Sequence, residues 1–152
     1  MRIVHSAQKG IAICFLMCGF VIFAHAQTTT LKLMNGKAIV KKTFQPRKVS
    51  DAHFYFLKLR KGQTVEIIVN SNSIYLTEEN ECAVYFQLFD SKGEEVFIGD
   101  SMVGIDIWED QIKAAGNYKI KVYMSGLEGF TTKELLRKKP MFKYLLAIQI
   151  KR

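Results

Sequence analysis

From Phe54 to Val69 the chain runs Phe-Tyr-Phe-Leu-Lys-Leu-Arg-Lys-Gly-Gln-Thr-Val-Glu-Ile-Ile-Val, and this stretch limits the fold more than any other. Tyr55, Leu57 and Leu59 take every second place. After Arg60-Lys61-Gly62-Gln63 the same period returns in Val65, Ile67 and Val69. Side chains of a strand point alternately to its two faces, so each run presents one apolar face. Two such runs around a Gly-containing turn predict an antiparallel β-hairpin with one buried face. The later aromatic and branched runs supply the strands that close a core over it.

Before this stretch, Thr28 to Phe44 forms a first β region, with Leu31 and Leu33 alternating, a turn at Asn35-Gly36, and a strand resuming through Ala38 and either Val40 or Ile39. Pro46 lies in a loop over 45–52, and the polar run 70–80 is a second loop. Val84, Phe86 and Leu88 alternate into the turn Asp90-Ser91-Lys92-Gly93. Shorter strands are expected around Val96 to Ile98 and Ile105 to Trp108. Beyond Ala114-Ala115-Gly116-Asn117, Tyr118, Ile120 and Val122 alternate with polar neighbours. Thr131 with Glu134 three places on is a capping box, which predicts one or two helical turns before Pro140. Tyr144, Leu146, Ile148 and Ile150 make the final strand. The pattern predicts an all-β fold, a single antiparallel, jelly-roll-like β-sandwich of about eight or nine strands.

The N-terminal residues have the form of an export signal. Arg2 and Lys9 are basic, Gly10 to Phe23 is apolar without a charge, and Ala24-His25-Ala26 puts small residues at the two positions that signal peptidase reads. Cleavage is expected between Ala26 and Gln27. The apolar stretch is shorter than the ~20 residues of a spanning helix, so no membrane span is expected after cleavage. Met17 before Cys18 is too large for a lipidated cysteine. Residues 27–152 are then one domain with one core. Cys14 and Cys18 leave with the signal, and Cys82 stays alone, a small buried apolar residue without a disulfide partner. Of 22 Lys and Arg, only Arg2 and Lys9 are removed, so 20 cations face 14 Asp and Glu, a net +6 that favours acidic partners.

Four segments together carry a resemblance. Phe56-Leu57-Lys58-Leu59-Arg60-Lys61-Gly62-Gln63, Phe86-Gln87-Leu88-Phe89-Asp90-Ser91-Lys92-Gly93, Ala115-Gly116-Asn117-Tyr118-Lys119-Ile120-Lys121-Val122 and Tyr144-Leu145-Leu146-Ala147-Ile148 resemble the bacterial pre-peptidase C-terminal domain. That resemblance implies a small secreted β-sandwich. The chain is also similar to the periplasmic inhibitors of goose-type lysozyme, in which a Trp is followed four residues later by Leu and then by a Gly-Asp-Tyr turn. Trp108, Ile112 and Gly116-Asn117-Tyr118 take those places here, while Lys113 stands where the inhibitors tend to have Pro, and Asn117 where they have Asp. The resemblance spans Leu31 to Ile150, and its motifs are structural. Gly62 and Gly116 suit turns that need positive φ.

The mature chain is poor in catalytic groups. His53 is its only histidine and lies at the start of a strand beside Phe54, a surface or satisfied strand residue rather than the base of a triad. One His and one Cys do not make a zinc site. No glycine loop for a phosphate is present, so neither a cofactor nor a catalytic residue is expected. The acidic groups Glu78, Glu79 and Glu81, and Asp106, Glu109 and Asp110, lack a calcium-loop spacing and read as solvated loops. Trp108 is either a sugar-stacking ring or, as the resemblance implies by placing it beside a structural turn, a residue capping the core. Lys133, Arg137, Lys138, Lys139 and Lys143 are interleaved with Leu135, Leu136, Met141 and Phe142, which suits contact with a protein surface; no nucleic-acid motif surrounds them.

Two functions remain. One is a secreted, non-enzymatic binding protein that presents loops to a protein partner, for which the resemblance implies inhibition of a lysozyme-like muramidase. The other is a carbohydrate- or envelope-binding module that meets glycan through Trp108. The partner-contacting residues are expected to be Trp108, Arg137, Lys138, Lys139 and Lys143.

Overall fold

The computed structural model describes residues 27–72, 74–76, 81–99 and 105–151. The expected signal segment 1–26, and Glu78 and Glu79 of the first acidic group, lie outside the described residues.

Ten strands and one short helix build two sheets. The strands are β1 (Gln27–Thr30), β2 (Lys37–Phe44), β3 (Ala52–Leu59), β4 (Thr64–Ser71), β5 (Ile74–Tyr75), β6 (Glu81–Phe89), β7 (Glu95–Ile98), β8 (Ile105–Gln111), β9 (Gly116–Ser125) and β10 (Phe142–Lys151), with α1 (Thr132–Lys138) before the last. One sheet runs β1-β3-β9-β6, with β5 and β7 both paired to β6. The other runs β2-β10-β4-β8. All pairings are antiparallel except β1 on β3. The sandwich is as expected, and the ten strands among the described residues include a two-residue segment, β5.

The expected hairpin is not formed. Tyr55, Leu57, Leu59, Val65, Ile67 and Val69 are all buried in one core, as their period requires. Yet β3 pairs with β9 and β1 in one sheet, and β4 with β10 and β8 in the other. Arg60–Gln63 is therefore an arch that carries the chain across the core from sheet to sheet. Alternation says which side chains turn inward but not which strand lies alongside. The arch is held by the chain beyond β8: Gly62 N–H donates to the Ile112 carbonyl at 2.8 Å, and Ile112 N–H to that of Gln63 at 2.8 Å. Gly62 has φ 84°, a conformation that favours glycine.

The first β region likewise divides between the sheets. β1 joins β3, and Asn35-Gly36, with φ 52° and 76°, closes only the bridge between Met34 and Lys37 before β2 enters the second sheet. The capping box is present. Glu134 N–H donates to Thr131 Oγ1 at 3.2 Å, and Thr131 N–H to Glu134 Oε2 at 2.8 Å. The helix ends at Lys139 in the left-handed region, φ 48°, and Leu135 anchors it in the core.

Candidate functional site

Register defines the two ends of the sandwich. Gly116 lies beside Leu59 and Gln111 beside Thr64 at one end; Phe142 lies beside Phe44 and Tyr144 beside Ser71 near the other. The second end gathers cations from segments far apart in sequence: Lys41 and Lys42 on β2, Arg47 in the following loop, Lys133 and Arg137 on α1, then Lys139 and Lys143, all exposed.

A concavity of about 730 Å³ opens here on the outer face of the second sheet. Lys41 and Thr43 line it from β2, Lys143 and Leu145 from β10, and Asn70 and Asn72 from the end of β4. Asn72 Oδ1 accepts the Lys143 N–H at 2.9 Å, which holds this rim in place. A smaller hollow of about 270 Å³ lies between Pro46 and Arg47 on one side and Leu135, Leu136 and Lys139 on the other. Asp51, itself buried, fixes that loop by accepting the N–H groups of Arg47 at 2.7 Å and Lys48 at 3.0 Å. Two carboxylates near these cations, Asp51 in the loop and Glu134 at α1, accept backbone N–H groups, and Glu134 also attracts Arg137 and Lys138. The Thr131 N–H and hydroxyl hold the Glu134 carboxyl below its ordinary range.

Arg137, Lys138, Lys139 and Lys143 are all exposed. Lys138 also bonds within the chain: its Nζ donates to the Leu76 carbonyl at 2.7 Å and stands 5.7 Å from the Phe130 ring centre. Trp108 is elsewhere. It pairs with Ile67, is half-buried against the core, and lines a hollow of about 240 Å³ with Asp90, Val96, Ile112, Lys113 and Tyr118, toward the Gly116 end. Lys143 thus lines the larger hollow and Lys139 the smaller, Arg137 lies on the helix that walls the smaller, and Trp108 sits in a different hollow.

His53 is buried and contributes to the interior. Its Nδ1 lies 2.7 Å from the Tyr144 hydroxyl, and its ring meets Phe44 edge-on at 4.7 Å. Burial lowers its pKa, aided by Lys42 and opposed by Asp51. Cys82 is buried, its thiol donating to the Gly126 carbonyl at 3.2 Å, and burial raises its pKa. Asp106 turns inward, whereas Glu109 faces outward and binds Lys151 at 2.6 Å, so these two carboxylates do not converge. Among the described residues no group of three or more His, Cys, Asp or Glu is placed to hold a metal.

Sequence reasoning missed Lys41, Lys42, Thr43, Asn70 and Asn72. The Lys41-Lys42 pair was visible, but only the register of β2 and β4 on β10 puts it beside Lys143 and the asparagines.

No family model matches the sequence, and neither does any curated protein. Solved structures do match. The periplasmic inhibitor of g-type lysozyme, PliG, from Aeromonas hydrophila shares 22% identity over 83% of this chain and 97% of its own, with a TM-score of 0.52. The pre-peptidase C-terminal domain of collagenase from Bacillus anthracis shares 12% over 82% and 96%, with a TM-score of 0.55. CorA, a surface-associated copper-binding protein of Methylomicrobium album BG8, shares 10% over 83% and 98%, with a TM-score of 0.51. The fold relationship to the lysozyme inhibitors and to the pre-peptidase domain is therefore that of the sequence resemblance. At such identities it concerns architecture.

Proposed function

We propose that this is an exported, non-enzymatic binding protein whose cationic end receives an acidic surface of another protein, and that a lysozyme-like muramidase is the partner, held inhibited. The observation that carries this reading is the collection of Lys41 and Lys143 around one hollow and of Arg47 and Lys139 around the other, with exposed Arg137 on the helix that walls the second. Exposed cations add little to folding but steer and orient an acidic partner. Leu136 and Met141, both more than half exposed, supply apolar contacts among them. The likeness to PliG supports the choice of partner, and the periplasmic and surface-associated neighbours support export.

The test is binding and inhibition of a goose-type lysozyme by the wild type and by Arg137→Glu/Lys139→Glu/Lys143→Glu. The variant should keep its urea midpoint and bind at least tenfold more weakly, about 1.4 kcal/mol. Wild-type binding should weaken as salt rises, since exposed charges are screened over ~8 Å at physiological ionic strength. Normal binding by the variant would sink the proposal.

One feature favours the glycan reading, the half-buried Trp108 beside its hollow. As the chain's only Trp, it reports directly. A shift in its fluorescence on adding soluble peptidoglycan fragments, abolished in Trp108→Phe, would move that reading ahead.

A further inference from the structure

The outer face of the second sheet displays an apolar row that the cationic end does not use. Across β2, β10, β4 and β8 the register aligns Ile39, Ala147, Ile68 and Ile107. The row nearer the cationic end is Lys41, Leu145, Asn70 and Ile105, and the row on the far side is Lys37, Gln149, Glu66 and Glu109. Ile39 is 67% exposed, Ile107 57% and Ile105 46%, values that would be a waste of branched side chains on a face meant for water. A contiguous apolar band of this kind marks a contact surface.

We infer that this face binds a second copy of the chain, through a two-fold axis parallel to the strands. The charges select both occupant and axis. Its open edges differ in sign, with Lys37 and Lys41 on β2 and Glu109 on β8. An axis along the strands lays β2 over the partner's β8. Ile39 then meets the partner's Ile107, Ala147 meets the partner's Ile68, and Lys37 meets the partner's Glu109. A two-fold axis across the strands would set Lys41 against the partner's Lys37 and Ile105 against the partner's Glu109, so like charges and buried acids reject it. Glu66 and Glu109, side by side, are already bridged by Lys151 at 3.0 and 2.6 Å, which leaves this corner ordered for such a contact.

Area sets the strength. Four strands ~4.8 Å apart and about eight residues long offer roughly 500 Å² per copy, at the transient end of specific interfaces. The dimer is therefore weak, with a dissociation constant on the order of 10 μM. The interface would cover Lys41, Asn70 and Leu145 of the concavity, so a second copy and the acidic partner share that part of the face, whereas the hollow lined by Leu136 and Lys139 lies outside it.

Sedimentation equilibrium of protein purified from the full-length chain tests it. The wild type should dimerise in the micromolar range, and Ile107→Lys should weaken this at least tenfold with an unchanged urea midpoint. Lys37→Glu and Glu109→Lys should each weaken the dimer severalfold, and the two together should restore it. A monomer up to about 200 μM, well above that constant, overturns the inference. So does failure of the charge swap to restore association. A monomer that instead binds phosphatidylethanolamine and phosphatidylglycerol vesicles through Ile107 also overturns it, assigning the face to lipid.

Discussion

The hydroxyl oxygens of Tyr55 and Tyr144 lie 2.5 Å apart, although one residue belongs to β3 of the first sheet and the other to β10 of the second. With His53 Nδ1 2.7 Å from the same Tyr144 oxygen, they form a buried polar bridge across an otherwise apolar core. Tyr144 is its hub. Tyr144→Phe keeps the ring but leaves His53 and Tyr55 without their partner, and should cost about 1–3 kcal/mol in urea unfolding. Tyr55→Phe should cost less, because the His53 contact survives.

The same bridge sets how stability responds to pH. His53 has a lowered pKa in the fold, so below its ordinary 6.5 the unfolded chain takes up a proton that the folded one resists. Stability is thus complete above about 6.5 and falls as pH drops further. Tyr144 is pushed upward by burial and by Tyr55, and Tyr55, Tyr118 and Tyr123 are raised chiefly by burial. They keep their protons in the fold, so stability is complete below their ordinary 10.0 and declines as pH rises beyond it. The buried Cys82 thiol, raised from its ordinary 9.0, begins the alkaline decline earlier still, so urea midpoints should show a plateau from pH 6.5 to 9.0. His53→Asn should make the acid limb shallower. An unchanged acid limb would assign it to other groups.

His53→Ala should leave partner binding within about twofold, under 0.5 kcal/mol on the tenfold-per-1.36 scale, when measured where the variant is folded. It should nevertheless lower the urea midpoint, because the residue is buried and bonded to Tyr144. A thousandfold loss of function in a folded variant would reveal catalysis through this residue.

Around the arch, Leu59→Ala should cost ~2–5 kcal/mol, since the side chain is fully buried, whereas exposed Lys58→Ala should cost little. Gly62→Ala should cost about 1 kcal/mol from its positive φ alone, as no atom lies within 4 Å of the added carbon. Gly126→Ala should cost more. It has φ 83° and also forces a carbon to 2.5 Å from the Glu81 carbonyl oxygen and 3.0 Å from Cys82 Sγ. Equal losses at the two glycines would mean that the β6–β9 contact relaxes freely.

Thr131→Ala removes the cap that starts α1, and should cost about 1 kcal/mol. Because α1 carries Arg137 toward the cationic end, the same change should weaken partner binding. Thr131→Ser should recover both, a pattern that a merely solvated loop would not show.

Facing, turns and the cap were legible in the sequence because each is written within a few residues. Tyr55, Leu57 and Leu59 declare their buried side by period, Thr131 and Glu134 declare a helix start, and Asp90 to Gly93 declare a turn, closed by a Gly93 N–H to Asp90 carbonyl bond at 3.1 Å. Pairing was not legible. Nothing local to Leu59 and Val65 distinguishes a hairpin from an arch, because the distinction is made by β9 and β10, many residues away. The site suffered from the same blindness. Arg137, Lys139 and Lys143 were visible as a cluster in sequence, while Lys41 and Asn72 join them only through pairing with β10. The Lys138 bond to the Leu76 carbonyl was not legible either, since it joins segments far apart in sequence.

The arch at Gly62 also bears on the order in which the molecule assembles. Had β3 and β4 paired, the chain would own a local nucleus early. Instead β4 meets its first partner only at β8, and β2 has none until β10, which lies between β2 and β4 and follows every other strand in the chain. Loop closure over such spans is slow, which places folding among the millisecond-to-second sandwiches. Until residues 142–151 are free, the second sheet lacks the strand that joins β2 to β4, and the core stays open on that side.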